Sequence, residues 1–179
     1  PSSYHSAFAA ATFDTHSGQR RLVFLVGVHR SVKNFEYEFP EPTHGPDLGT
    51  PWRTLRDVLK DMAARDDDAY LQKEFHGHYL TRNRKRGWDE PSYTIVAHGS
   101  HVPLHPSDKP MVSVGKDKFE LQGNVNRRLS WRECAAIQEL PDHIEVPGGL
   151  MAKYRVVGNA VPPPLATALI SPIVLRFAN

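Results

Sequence analysis

Residues 21–28, RLVFLVGV, are a run of β-branched and large apolar side chains with no alternation. Alternation would mark a strand with one wet face. Its absence predicts a strand buried on both faces, as in a parallel or mixed sheet. Such a strand cannot exist without neighbours, and few other segments of the chain read as strands. The run therefore predicts a sheet that something else completes.

At 179 residues the chain is long enough for one domain with a sizeable core or for two small lobes. Hydrophobic residues at 40% and charged residues at 23% exclude a disordered or membrane-like composition. The most apolar stretch, 165–177, falls short of the roughly 20 residues of a transmembrane helix and carries Pro172. A net charge of +2 leaves the partner open, so the placing of the charges decides more than their sum. The single cysteine, Cys134, excludes an internal disulfide framework and suits a reducing compartment. The opening PSSYHSAFAAATFD has no cationic leader and no initiator Met, which points to a processed, truncated or split chain.

Two helix starts are signposted. Thr54 and Asp57 form a capping pair ahead of Leu55, Val58, Leu59 and Met62 at helical spacing. Ser130 and Glu133 do the same for a helix over 131–140, with Ala136, Ile137 and Leu140 on its apolar face and Pro141 ending it. Residues 37–52 are rich in Pro and Gly and read as a linker. Residues 91–99, PSYTIVAHG, predict a half-buried strand, and 111–123 a hairpin around Gly115-Lys116-Asp117.

The chemistry-bearing residues fall in four places. Arg82, Arg84, Lys85 and Arg86 crowd four cations into five residues beside Trp88, either as a solvated basic turn or as contacts to the phosphates of a polyanion and to guanine edges. Trp88 itself reads as a packing residue. His76, His78, His98, His101 and His105 fit no zinc spacing and read as loop histidines, with no metal site expected. Cys134 lies inside a helix and reads as a small packing residue. In VVGNAVPPP, 156–164, Gly158 permits a tight turn or a close backbone approach, Asn159 can bond through both ends of its amide, and the prolines pre-set a helix N-terminus. Such a corner either borders a small-ligand pocket or is purely structural.

Together these stretches resemble the C-terminal part of the DNA cytosine-C5 methyltransferases. RRLSWRECAAIQELPD is similar to the ninth conserved motif of that family, through Arg127 or Arg128, Ser130, Arg132, Glu133, Ala135, Gln138 and Pro141, with Leu140 in place of the usual aromatic. YRVVGNAVPPPLA resembles the tenth, and SGQRRLVF resembles the eighth with altered spacing. RNRKRGWDEPSYTIVA looks like the target recognition region, and PTHG…PWRTLRDVL like the segment before it.

The resemblance implies a mixed α and β fold. Residues 1–49 would hold the end of a catalytic-lobe sheet and a linker, 50–125 a small β-containing recognition lobe, and 126–179 a connecting helix and a C-terminal helix packing back on the catalytic lobe. It implies Asn159, Ala160 and Val161 against S-adenosyl-L-methionine, and Arg20 and Arg21 near the target cytosine. Arg82, Arg84, Lys85 and Arg86 would lie on double-stranded DNA, while Ser130, Arg132, Glu133, Gln138 and Gly158 would serve the scaffold. A bacterial, cytoplasmic, restriction-modification setting with no membrane partner follows from the same likeness.

The family's Phe-x-Gly-x-Gly loop, Pro-Cys nucleophile and Glu-Asn-Val motif are absent from these residues. Its chemistry needs a thiolate that attacks C6 of an extruded cytosine and makes C5 nucleophilic. The expectation is a chain inactive by itself, partnered by an N-terminal catalytic lobe or subunit. A non-enzymatic DNA-binding module and a purely structural partner are the alternatives.

Overall fold

Ser130 and Glu133 open a helix through reciprocal hydrogen bonds. The Ser130 hydroxyl accepts the Glu133 amide proton at 3.0 Å, and the Glu133 carboxylate accepts the Ser130 amide proton at 2.7 Å. This capping box starts α2 (Trp131–Ile137). The helix stops short of the expected residue 140 because Glu139 takes a left-handed φ of 56°. The amides of Glu139 and Leu140 turn back onto the carbonyls of Ala136 and Ala135 at 2.9 and 3.0 Å, a Schellman stop made without glycine. Thr54 and Asp57 open α1 (Leu55–Leu59) with the same box. Its first amides, on Leu55 and Arg56, donate to the carbonyls of Glu90 and Trp88.

A computed structural model describes residues 4–5, 13–15, 18–22, 24–29, 31–32, 36–45, 47–62 and 70–177. The fold is mixed α and β, and among the described residues the strands form three two-stranded antiparallel sheets. In chain order β1 (Tyr4–His5) pairs with β4 (Val28–His29), and β2 (Phe13–Thr15) with β3 (Gly18–Leu22). The continuous buried strand expected over 21–28 is therefore not formed. β3 ends at Leu22, β4 starts at Val28, and Leu25 between them is 67% exposed. The physical reason is the one the sequence raises: a strand apolar on both faces needs two covered faces, and the antiparallel neighbours here are short.

The hairpin forms as β5 (Val112–Gly115) and β6 (Lys118–Glu120), joined by Lys116 and Asp117, the latter at φ 53°. The strand expected at 91–99 does not form. Residues 91–96 carry no ladder, and a 3-10 turn follows at Gly99–His101. This segment makes its contacts through side chains and close packing, with Ser92 and Ile95 buried.

One apolar core joins Leu55 and Leu59 of α1 to Ile95, Val102 and Leu129, to α2, and to Tyr154 and Val157 of α3 (Leu150–Asn159). Residues on both sides of 125/126 thus contribute to this core. Beside it Leu104 bridges Lys85 on one side and Arg128 on the other. A smaller cluster of Tyr79, Leu104 and Met111, with Phe75, Leu80, Phe119 and Leu121 against it, anchors the hairpin.

α3 ends at Asn159, and α4 (Pro163–Phe177) begins with proline in its first turn, where a missing amide proton costs nothing. α4 buries Leu169 but leaves Ile170, Val174, Leu175 and Phe177 more than half exposed. The span Leu150–Phe177 is long and apolar enough by composition for a membrane helix, its most apolar 18-residue window having a mean hydropathy of 1.4. It is divided by the break at 160–162, and α4 alone, 15 residues or about 22 Å, is shorter than a hydrocarbon core of about 30 Å.

Candidate cofactor wall and nucleic-acid interface

The corner between α3 and α4 is fastened from below. Gln138, buried at the end of α2, donates its side-chain amide to the Val157 carbonyl. The Ala160 amide donates to the same oxygen at 3.1 Å. Of the two roles open to Gly158, the structure has the close approach: it lies within α3, and a Cβ there would sit 2.4 Å from Ala97 N and Val96 C. Segment 96–99 rests directly on α3 in consequence, with Gly99 against the Tyr154 ring. Above this lock, Asn159 and Val161 are exposed and Ala160 half-buried, a short rim of mainly small and polar character.

Two arginines ahead of α2 do different work. Arg127 donates Nη1 and Nη2 to both Glu133 carboxylate oxygens at 2.8 and 2.7 Å. Burial alone would raise the Glu133 pKa, but these bonds, the Arg127 charge and the Ser130 amide hold it below the usual carboxylate range. His105 Nε2 lies 3.6 Å from the same carboxylate. Burial first, then the Arg127 charge, pushes His105 down to about 4, so it stays neutral at physiological pH. Arg128 is 2% exposed and has no carboxylate. It donates to the carbonyls of Leu71, Lys73 and Glu74 and stacks over Phe75 and Tyr79, 4.5 and 5.0 Å from the ring centroids. Arg132 lies over the Trp131 ring at 4.4 Å.

The basic segment is less crowded than its sequence suggests. Lys85, expected on DNA, is 3% exposed with Nζ donating to Asn126 Oδ1 at 3.2 Å, so its ammonium faces inward. Arg84 is half-buried and donates to the carbonyls of Tyr79 and His101, both at 3.2 Å, while its guanidinium stacks on the Tyr79 ring. Arg86 pairs with Glu90 at 2.9 Å and stacks on Tyr93. Arg82 is exposed. Internal partners thus hold Arg84, Lys85 and Arg86 in place.

Among the described residues no group of His, Cys, Asp and Glu has the makings of a metal site. Cys134 is fully enclosed within the core, and burial pushes its thiol well above the ordinary value. Trp88 packs edge-on to His105 at 5.4 Å. Arg20 and Arg21 lie in β3; their side chains are outside the described structure. Sequence reasoning missed Tyr154, which is buried, receives a hydrogen bond from the Leu71 amide and donates one to the Leu129 carbonyl. Its spacing of four from Gly158 puts both on one helix face and was the available signal.

A family model described as C-5 cytosine-specific DNA methylase matches residues 2–174. The chain is 40% identical over 167 residues to the Type II methyltransferase M.BsuRI of Bacillus subtilis, covering 86% of this chain and 38% of that protein. It is 37% identical to M.BspRI of Lysinibacillus sphaericus and to M.MthTI of Methanothermobacter thermautotrophicus, covering 39% and 51% of those proteins. The chain therefore spans roughly two fifths to one half of the length of these relatives.

Proposed function

The chain belongs to the C-5 cytosine-specific DNA methylase family, whose members use S-adenosyl-L-methionine, and from that premise we propose that it is the DNA-reading, cofactor-closing C-terminal part of a cytosine-C5 methyltransferase of a restriction-modification system. The observation that carries this reading is the bond from Gln138 to the Val157 carbonyl. It fixes the Asn159–Val161 rim to α2, and through α2 to the core shared with the basic segment, so that a cofactor wall and a DNA-contacting surface move as one piece.

In this reading a catalytic lobe supplies the thiolate and the carboxylic acid, and bound S-adenosyl-L-methionine supplies an electrophilic methyl group. This chain's residues orient and enclose. Asn159, with a two-ended amide, and the small Ala160 and Val161 line the methionine end of the site. α4 lays its exposed apolar side, Ile170, Val174, Leu175 and Phe177, on the catalytic lobe. Each such side chain, already partly covered, stands to gain roughly 1–2 kcal/mol on full burial. Arg20 and Arg21 hold the extruded cytosine and its phosphate. Arg82 meets the duplex directly, with Arg84 and Arg86 behind it. Lys85 supports this segment from inside. A soluble, cytoplasmic setting follows from the family's role.

The test is complementation. The chain, mixed with a catalytic lobe bearing the Pro-Cys and Glu-Asn-Val motifs, should transfer labelled methyl groups to duplex DNA, and Asn159→Ala should weaken cofactor binding. Methyl transfer by the chain alone would overturn the reading. DNA binding without complementation by any such lobe would favour a non-enzymatic module instead. Replacing Arg82 with a neutral residue should make the slope of log affinity against log salt shallower by about one for each phosphate no longer paired with a cation.

A further inference from the structure

We propose that His78, His98 and His101 form a proton-linked contact for a DNA phosphodiester beside Arg82 and Arg84. The inference rests on the reading of the chain as the DNA-contacting part of the enzyme, and it adds a regulation of that contact.

The three imidazoles come from two separate segments and meet at the surface. The rings of His98 and His101 lie 5.3 Å apart between centroids, and those of His78 and His101 5.8 Å apart. His78 and His98 are exposed and His101 is half-buried. The 3-10 turn Gly99–His101 sets two of them. His98 Nδ1 accepts the Ser100 amide proton at 3.3 Å, which leaves Nε2 to carry the ring proton and donate it. The His101 amide donates to the His98 carbonyl at 2.9 Å. Arg84 Nη1 donates to the His101 carbonyl at 3.2 Å, bringing the basic segment against the cluster.

What surrounds His101 is uniformly of one sign. His78 and Arg84 face it from the 76–84 segment, His98 from its own turn, and Arg128 from the segment before α2. α3, which packs on this turn at Gly99, offers the phenol of Tyr154, which is neutral at physiological pH. No carboxylate is among these electrostatic neighbours. Burial first, then Arg84 and the other two rings, holds the His101 pKa below its ordinary value of 6.5.

His101 is therefore disfavoured as a cation while the site is empty, because burial and the neighbouring Arg84 oppose a further charge there. An anion with several acceptor oxygens reverses that balance. A phosphodiester fits, with its single delocalised charge and outward oxygens, and duplex DNA is the source that places one beside Arg82. Among the described residues no metal-holding group is formed here, which leaves the anion as the occupant the charges favour. The sign follows from linkage. The bound anion raises the His101 pKa, so the complex holds more protons than the free protein, and affinity rises as pH falls through the bound-state pKa.

The experiment is duplex binding by the assembled enzyme at constant ionic strength with EDTA present, between pH 8 and pH 6. Affinity should rise roughly five- to tenfold on acidification, the response of about one proton taken up. His101→Gln should remove most of that rise. His78→Arg, which installs a permanent charge at an exposed position, should bind more tightly than wild type at pH 8 and respond less to pH. Circular dichroism at pH 8 establishes that His101→Gln is folded; if it is not, His78→Arg decides. A flat wild-type profile, or variants that keep the wild-type slope, would overturn the inference. Absence of duplex binding at every pH would instead sink the functional reading on which it rests.

Discussion

The stretch from Arg128 to Gly158 and the helix α4 are neighbours in sequence, yet they stand at opposite ends of packing. In the first, polar groups are drawn into the core and given partners: the Arg128 Nη groups by three carbonyls, Glu133 by Arg127 and Ser130, Gln138 by Val157. α4 keeps apolar side chains in water and has Leu169 as its buried residue, with a Tyr37 hydroxyl on the Leu169 carbonyl at 2.7 Å. A core that must hold its shape alone spends hydrogen bonds on register. An apolar surface left in water is shaped for a partner that covers it.

Substitutions can break or sharpen this contrast. The largest expected effect is Arg128→Leu, which strips three carbonyls of their donor in a dry site. It should cost about 3–5 kcal/mol, read from the midpoint of denaturant unfolding. If stability were unchanged, the buried polar framework would not be what secures this region.

Next is pH. His105 has a folded pKa of about 4 against an ordinary 6.5, so the unfolded chain takes up its proton first, and stability declines as pH falls across that window. The loss is up to about 3 kcal/mol. Glu133, whose pKa is depressed, adds a further loss as pH falls through and below the ordinary carboxylate range. Thermal unfolding from pH 7 to pH 4 should show the decline, and His105→Gln should flatten its upper part.

Gly158→Ala should follow, at about 1–3 kcal/mol, because the new methyl group meets backbone atoms of Val96 and Ala97 that have no rotamer to yield. Hydrogen exchange at 96–99 should quicken with it. The smallest effect on stability is at α4. Leu175→Lys should change unfolding of the isolated chain by less than about 0.5 kcal/mol. The same change should impair complementation by a catalytic lobe, and a variant that complements normally would remove α4 from that interface.

Local chemistry was the legible part of the fold. The capping boxes at Thr54 and Ser130, the hairpin around Lys116-Asp117 and the proline start of α4 all follow from side chains within four residues of one another. The strands expected at 21–28 and 91–99 were misjudged, because a strand exists only with a partner and partners are not written in the segment itself. The same limit applied to Lys85. Its charge marked it for solvent, yet Asn126, 41 residues away, holds it inside. The roles of Arg127 and Arg128 were also undivided in the sequence, since the two differ only in the direction the backbone turns each.

By itself the sequence determined the family and the local elements, because motif spacing and capping are short-range properties of the chain. Which cations are enclosed, which histidines meet, and which apolar helix stays uncovered were decided by tertiary structure alone. Burial and pairing depend on residues tens of positions apart, and it is the whole packing that sets the solvent and the partner each side chain sees.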